Sequence, residues 1–253
     1  MICKVYVITH KECFYKTPDN YIPVQVGKVN TGLELPYLKD ETGDSISSKN
    51  SNYCELTAWY WLWKNVELPD YIGLCHYRRF FVKKDSLFRG GSTLITSEYV
   101  EHIMRDYDII LPKKINLGMT VKEFYYKHGE GRKNDIDEIE NIIAEKYPEY
   151  TDAMDEVFNS IESSYWNLAV MKKEHFMEYC QWLFDILFEL ENRIDISDYT
   201  AAEARIYGYL SEILINIWVA KKRLKVHRDS MIFVDEKKWK NLLRRIRAGY
   251  LLK

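Results

Sequence analysis

The sequence predicts an α/β domain with a mostly parallel sheet flanked by helices, followed by a helical C-terminal extension. Two observations predict the domain. Short β-branched runs alternate with helix-periodic segments from the first residues onward. The 253 residues, 47% hydrophobic, carry no internal repeat, low-complexity tract or Gly/Ser linker, which suits one sizeable core. A third observation predicts the extension. Residues 237–253 hold seven basic side chains and no acidic one. The expected division is therefore a domain over 1–225 and a basic amphipathic extension over 226–253.

The elements follow in order. Residues 3–9 (CKVYVIT) are β-branched and read as a first strand. Residues 21–26 (YIPVQV) read as a second, with Pro23 marking an edge position. Residues 27–49 read as loop, punctuated by Gly32, Pro36 and Gly43. Asn50 or Ser51 is a helix cap for a run to about Lys64, in which Cys54, Ala58, Trp61 and Leu62 share one apolar face. Residues 71–75 and 107–111 read as strands, then 135–146 and 150–160 as helices. Residues 166–171 read as a strand, before long helices near 173–192 and 200–223.

Composition removes several classes. A net charge of −2 excludes the whole chain as a nucleic-acid binder. The five cysteines are scattered, without a Cys-x-x-Cys pair, so neither a zinc site nor a redox pair is indicated. No signal peptide opens the chain, and no apolar stretch reaches the roughly 20 residues a membrane-spanning helix needs. A reducing, cytoplasmic setting is expected. In the extension, Trp239, Leu242, Leu243, Ile246 and Tyr250 form one apolar stripe among basic residues. That pattern suits a helix lying on an anionic leaflet, which would make the protein peripheral at the membrane's inner face. The competing reading is a surface helix docked on the domain.

The richest stretch for chemistry is residues 71–81, YIGLCHYRRFF, where an apolar run ends in His76, Arg78 and Arg79. Open α/β sheets bind ligands beyond the carboxyl ends of their strands. Paired guanidinium forks there suit a phosphate or diphosphate. Structural ion pairs are the alternative, and spacing alone does not separate the two. Asp106-Tyr107-Asp108 has an Asp-x-Asp form that offers hard oxygen ligands to a divalent cation. The pattern is short and Asp108 enters an apolar strand, so a metal there is the less favoured reading. His128 begins a glycine-containing polar loop that reads as either a substrate lid or a solvated turn. Arg205, Gly208 and Glu212 share a helical face, as a general base with its surroundings or as a structural Arg–Glu pair. Glu55, within an apolar helix, needs a partner, for which Arg78 or Arg79 is expected.

Several long segments together carry a resemblance. They are residues 21–27, 40–47, 50–61 (NSNYCELTAWYW), 73–80 (GLCHYRRF), Asn167 with 171–173 (MKK), 179–184 (YCQWLF) and 205–218. The chain resembles a bacterial capsular and exopolysaccharide biosynthesis family, long labelled a domain of unknown function. That family is regarded as glycosyltransferases of the GT-A type, some linked to galactofuranose transfer from UDP-galactofuranose. The match spans nearly all of residues 1–225.

The resemblance implies a UDP-sugar donor lying over the ends of the first strands, and a lipid-linked glycan acceptor at the inner leaflet. Arg78 and Arg79 would neutralise the leaving UDP in place of a metal, so no metal cofactor is expected. His76 would add a hydrogen bond or contact the sugar. Inverting transfer needs a base, for which Glu212 is favoured over Asp135, Asp137 and Glu203. Thr9 and His10 would border the nucleotide, and Asp40 and Asp44 would bind ribose or sugar hydroxyls. Glu55, His128, Asn167 and Arg205 complete the expected substrate-binding set. Two other functions compete: a non-catalytic nucleotide- or glycan-binding subunit of a polysaccharide assembly complex, and a phosphate-ester hydrolase built on His76 with Arg78 and Arg79.

Overall fold

The structure, a computed structural model, describes residues 2–13, 17–83, 94–128 and 131–234. The first strands, β1 (Cys3–Thr9) and β2 (Tyr21–Gln25), match the expected runs, and β3 (Leu38–Lys39) adds two residues beside β2. Next come α1 (Asn50–Tyr53), α2 (Leu56–Asn65), β4 (Tyr71–His76), β5 (Arg79–Val82) and α3 (Ser97–Ile103). The middle of the chain gives β6 (Ile109–Pro112), β7 (Ile115–Asn116), α4 (Val121–Lys127), α5 (Lys133–Lys146), α6 (Thr151–Asn159) and β8 (Glu162–Ser163). It closes with β9 (Ala169–Lys172), α7 (Lys173–Arg193), α8 (Ile206–Lys222) and β10 (Val226–Phe233).

The main sheet runs β3-β2-β1-β4-β5-β10-β6-β9, and β9 also pairs with β4. It is mixed, which corrects the expected mostly parallel sheet. Within this sheet four pairings of described strands are parallel (β1–β2, β1–β4, β2–β3, β6–β10) and four antiparallel (β4–β5, β4–β9, β5–β10, β6–β9). The reason lies on the free side of β4. Its residues Tyr71 to Leu74 pair with β9, whereas His76 pairs with Arg79 across the tight turn into β5. The sheet therefore opens at the carboxyl end of β4. Because β2 and β4 flank β1 on opposite sides, the strand order reverses there, where α/β sheets characteristically bind ligands.

The expected boundary at 225 also shifts. β10 lies inside the sheet, antiparallel to β5 and parallel to β6, so the sheet continues past that residue. The amphipathic stripe over 237–253 lies outside the described residues. No helix among the described residues is long and apolar enough to cross a membrane.

Packing follows the two-residue period of the strands. Tyr6, Ile8, Ile72, Leu74, Ile109 and Met171 face one core with α2, α5, α7 and α8, while Val5, Val7, Cys75, Ile110 and Val170 face a second core with α3. Both faces of the central strands are thus covered, as their unbroken apolar runs require. Gly73 permits the close approach of β1 and β4: a Cβ there would lie 2.8 Å from Val5 Cγ2.

Candidate functional site

A cleft opens over the carboxyl ends of β1 and β4, facing the start of α8. It has two connecting chambers, of about 330 and 280 Å³, which share Cys54, Glu55, His76, Arg78 and Arg205. The smaller is bordered by Thr9, His10, Asn50 and Ser51. The larger adds Arg79, Phe124, Tyr165, Trp166, Tyr209 and Glu212. Of the expected residues, Thr9, His10, Glu55, His76, Arg78, Arg79, Arg205 and Glu212 line the cleft.

The arginine end is built by a turn and braced by β10. Tyr77 and Arg78 connect β4 to β5, and the Arg78 backbone N–H faces His76 Nδ1 at 3.4 Å. The Val234 N–H donates to Arg78 O at 2.8 Å. The Phe233 ring lies 5.5 Å from the Arg78 guanidinium and 5.9 Å from that of Arg79, within cation–π range. Arg78 Nε is buried and has no hydrogen-bond partner among the described residues. A desolvated donor of this kind is costly unless something completes it.

Electrostatics keep both histidines neutral. Burial, then Arg79, Arg78, His10 and Arg205, push the His76 imidazole down to about 3. Burial and the cations Lys11, Arg78 and Arg205 lower His10. Desolvation also lowers Arg79, against the opposing pull of Glu212 and Glu55 across the cleft. Arg78 and Arg79 at the end of β4 thus face Glu55 and Glu212, while Arg205, at the start of α8, stands beside Glu55.

The Glu55 wall depends on a break in the expected helix over 50–64. Cys54 adopts φ 52° and ψ −129°, which ends α1 and starts α2 at Leu56. Asn50 Nδ2 bridges the break by donating to Cys54 O and Thr57 Oγ1. Glu55 consequently stands at the head of α2, facing the cleft rather than lying inside a helix. Its partner is Asn167, whose Nδ2 donates to Glu55 Oε1 and to Gly208 O, each at 3.0 Å. Ser211 Oγ donates to Asn167 Oδ1. Asn167 and its neighbour Trp166 both have positive φ, 47° and 78°. Three such non-glycine residues, with Cys54, gather around one cleft, the kind of strain that concentrates at functional sites.

Gly208 lines the larger chamber and also serves packing. A Cβ there would come within 3.1 Å of Cys54 Sγ, so the glycine lets α8 approach the α1–α2 break. Arg205 Nε donates to the same sulfur at 3.2 Å. Burial and the nearby Glu55 hold that thiol up at about 11.

Other expected residues lie elsewhere. Asp40 is fully buried and accepts from the Gly27 and Lys28 N–H groups and Ser47 Oγ, fixing the loop beneath the smaller chamber. Asp44 accepts from Tyr60 Oη at 2.9 Å. Asp135 is fully buried and accepts from Tyr125 Oη, Tyr199 Oη and the Arg132 N–H. Asp137 pairs with Lys133 on the surface of α5, and Glu203 pairs with Arg132. His128 stacks on Phe124, with ring centroids 4.5 Å apart; the next two residues of its loop lie outside the described set. Asp108 accepts from the Lys225 N–H and Lys172 Nζ, which hold its carboxyl low. It precedes β6, at the opposite end of the sheet from the cleft, so the Asp106/Asp108 pair does not fit a metal at this site.

Sequence reading missed Phe124, Tyr165, Trp166 and Tyr209, which line the larger chamber, and Phe233, which braces the arginines. Trp166 carried a signal, since it is an aromatic residue beside the expected Asn167.

The family described as "Domain of unknown function (DUF4422)" matches residues 4–223. None of the curated proteins matches. Among solved structures, the apo structure of WbbM, a bifunctional glycosyltransferase, is similar at 33% identity and a TM-score of 0.84. That match covers 92% of this chain and 45% of the WbbM chain, so this chain spans under half of that protein's length.

Proposed function

The chain belongs to the DUF4422 family and has a glycosyltransferase-like fold, and from that premise we propose that it transfers a sugar from a nucleotide diphosphate donor to a glycan hydroxyl. The observation that carries this reading is the buried Nε of Arg78, without a partner among the described residues, set with Arg79 and Arg205 in a cleft that also bears Glu55 and Glu212. A diphosphate supplies the missing acceptors.

The nucleotide lies in the chamber bordered by Thr9 and His10, and its diphosphate reaches the arginines. The sugar enters the larger chamber, where Glu212 accepts the proton of the attacking acceptor hydroxyl. As the new glycosidic bond forms, the bond from the anomeric carbon to the diphosphate oxygen breaks. Its electron pair goes to the leaving diphosphate, whose growing charge Arg78 and Arg79 stabilise. Neutral His76 presents a hydrogen bond without adding charge. Attack on the face opposite the leaving group inverts the anomeric centre. Fixed cations take the role a divalent ion plays elsewhere. UDP-galactofuranose as donor, a lipid-linked glycan of capsular or exopolysaccharide synthesis as acceptor, and a peripheral place on the inner membrane face complete the proposal.

Thermal-shift titration with UDP, GDP, CMP and their sugars, with and without EDTA, tests it. A ligand at 100 times its Kd adds about 2.7 kcal/mol of apparent stability. UDP or a UDP-sugar is expected to raise Tm equally in both conditions. No shift with any nucleotide contradicts the reading, and a shift abolished by EDTA contradicts its metal-free form.

A further inference from the structure

A separate cavity of about 280 Å³ lies beyond the larger chamber, reached along the same elements. α8 passes from Glu212 in the cleft to Asn216, Ala220 and Arg223 in this cavity. The segments carrying Ile115 and Tyr165 likewise reach it at Lys114 and Ser163. Along the helix, Ala220 lies about 12 Å beyond Glu212, at roughly 1.5 Å per residue.

Its charge is unusual. Lys114, Arg223 and Arg228 line it, and no ion pair among the described residues engages them. Arg228 sits part-buried on β10, and desolvation lowers its pKa. Its Nη1 donates to Pro112 O at 3.3 Å and Ser164 Oγ at 2.5 Å, both neutral acceptors. Glu156 and Glu162 also line the cavity, both exposed. A guanidinium taken partly out of water needs a counter-charge. The three cations outnumber the two carboxylates, which solvent screens, and guanidinium forks favour phosphate oxygens.

We infer that this cavity is an anion subsite for a phosphate or diphosphate group carried by the acceptor, about 12 Å beyond the carboxylate that receives the hydroxyl proton. The assignment to an acceptor rests on the transfer reading of the cleft. The acceptor then spans from Glu212 along α8 to Arg223 and Arg228.

Isothermal titration of the full chain with inorganic pyrophosphate tests the subsite. Wild type is expected to bind two pyrophosphates, the Arg78→Ala variant one, and the K114A/R223A variant one. Both changes in the double variant are at exposed side chains, and an unchanged Tm confirms its fold. Two sites retained in K114A/R223A overturn the subsite. A second arm compares acceptor sugars linked to an alkyl chain through a diphosphate or directly. K114A/R223A is expected to raise KM at least tenfold for the diphosphate-linked acceptor alone. Equal effects on both acceptors, or pyrophosphate loss with no transfer to either, keep the anion site and overturn its assignment to an acceptor.

Discussion

Asn167 Nδ2 lies 3.0 Å from Glu55 Oε1, joining residues 112 positions apart across the candidate site. Asn167 also holds α8 through Gly208 O and Ser211 Oγ, so one buried amide ties the head of α2 to α8. Its left-handed backbone suits asparagine better than most residues. Asn167→Ala is expected to cost about 2–4 kcal/mol in urea unfolding, because it strips a buried network and leaves its partners unsatisfied. A loss below about 0.5 kcal/mol, the range of ordinary surface changes, would refute the role.

Gly208 and Cys54 form a second coupled pair. Gly208→Ala is expected to destabilise by about 1–3 kcal/mol through overpacking against the sulfur. Cys54→Gly removes that sulfur and relieves the positive φ, so the double variant should recover most of the loss. Additive effects in the cycle would show that the contact is not the cause.

His76 has a folded pKa near 3, below the ordinary histidine value of 6.5. Below pH 6.5 the unfolded chain takes up a proton that the folded chain refuses until about pH 3. Stability is therefore present above pH 6.5 and lost as pH falls through that window. Tm measured from pH 7 to pH 4 should fall less steeply in His76→Gln than in wild type. Parallel curves would place the histidine outside this linkage.

The candidate bases separate by location. Asp137→Ala removes an exposed pair with Lys133 and should change stability by less than about 1 kcal/mol and leave transfer intact. Asp135→Ala should unfold at lower urea, since it removes the buried acceptor shared by two tyrosine hydroxyls and a backbone N–H. Glu212→Gln should fold normally and lose about 10²-fold or more in kcat, the range of positioned proton transfer. Full kcat in E212Q would move the base elsewhere.

Sequence reached some of this and missed the rest for physical reasons. β1 and β4 announce themselves because both faces are buried, which leaves continuous apolar runs. His76, Arg78 and Arg79 at the end of β4 were legible for the same reason. The turn at Tyr77 and Arg78 was not, since it lacks the glycine or asparagine that usually marks a two-residue hairpin. β10 (VHRDSMIF) is half polar and reads poorly as an inner strand, so Phe233 went unseen behind the arginines. The break at Cys54 carries no proline or glycine, which hid the outward position of Glu55. Asp40 and Asp135 have the residue type of a binding site, but only three dimensions show their oxygens occupied.

The most direct measurement is the transfer rate of Arg78→Ala, with Arg78→Lys beside it, from a UDP-sugar to a glycan acceptor. If this guanidinium holds the departing diphosphate, alanine should cost about 10²-fold or more in kcat/KM, and lysine should recover only part of it. Wild-type turnover in the alanine variant would contradict the account.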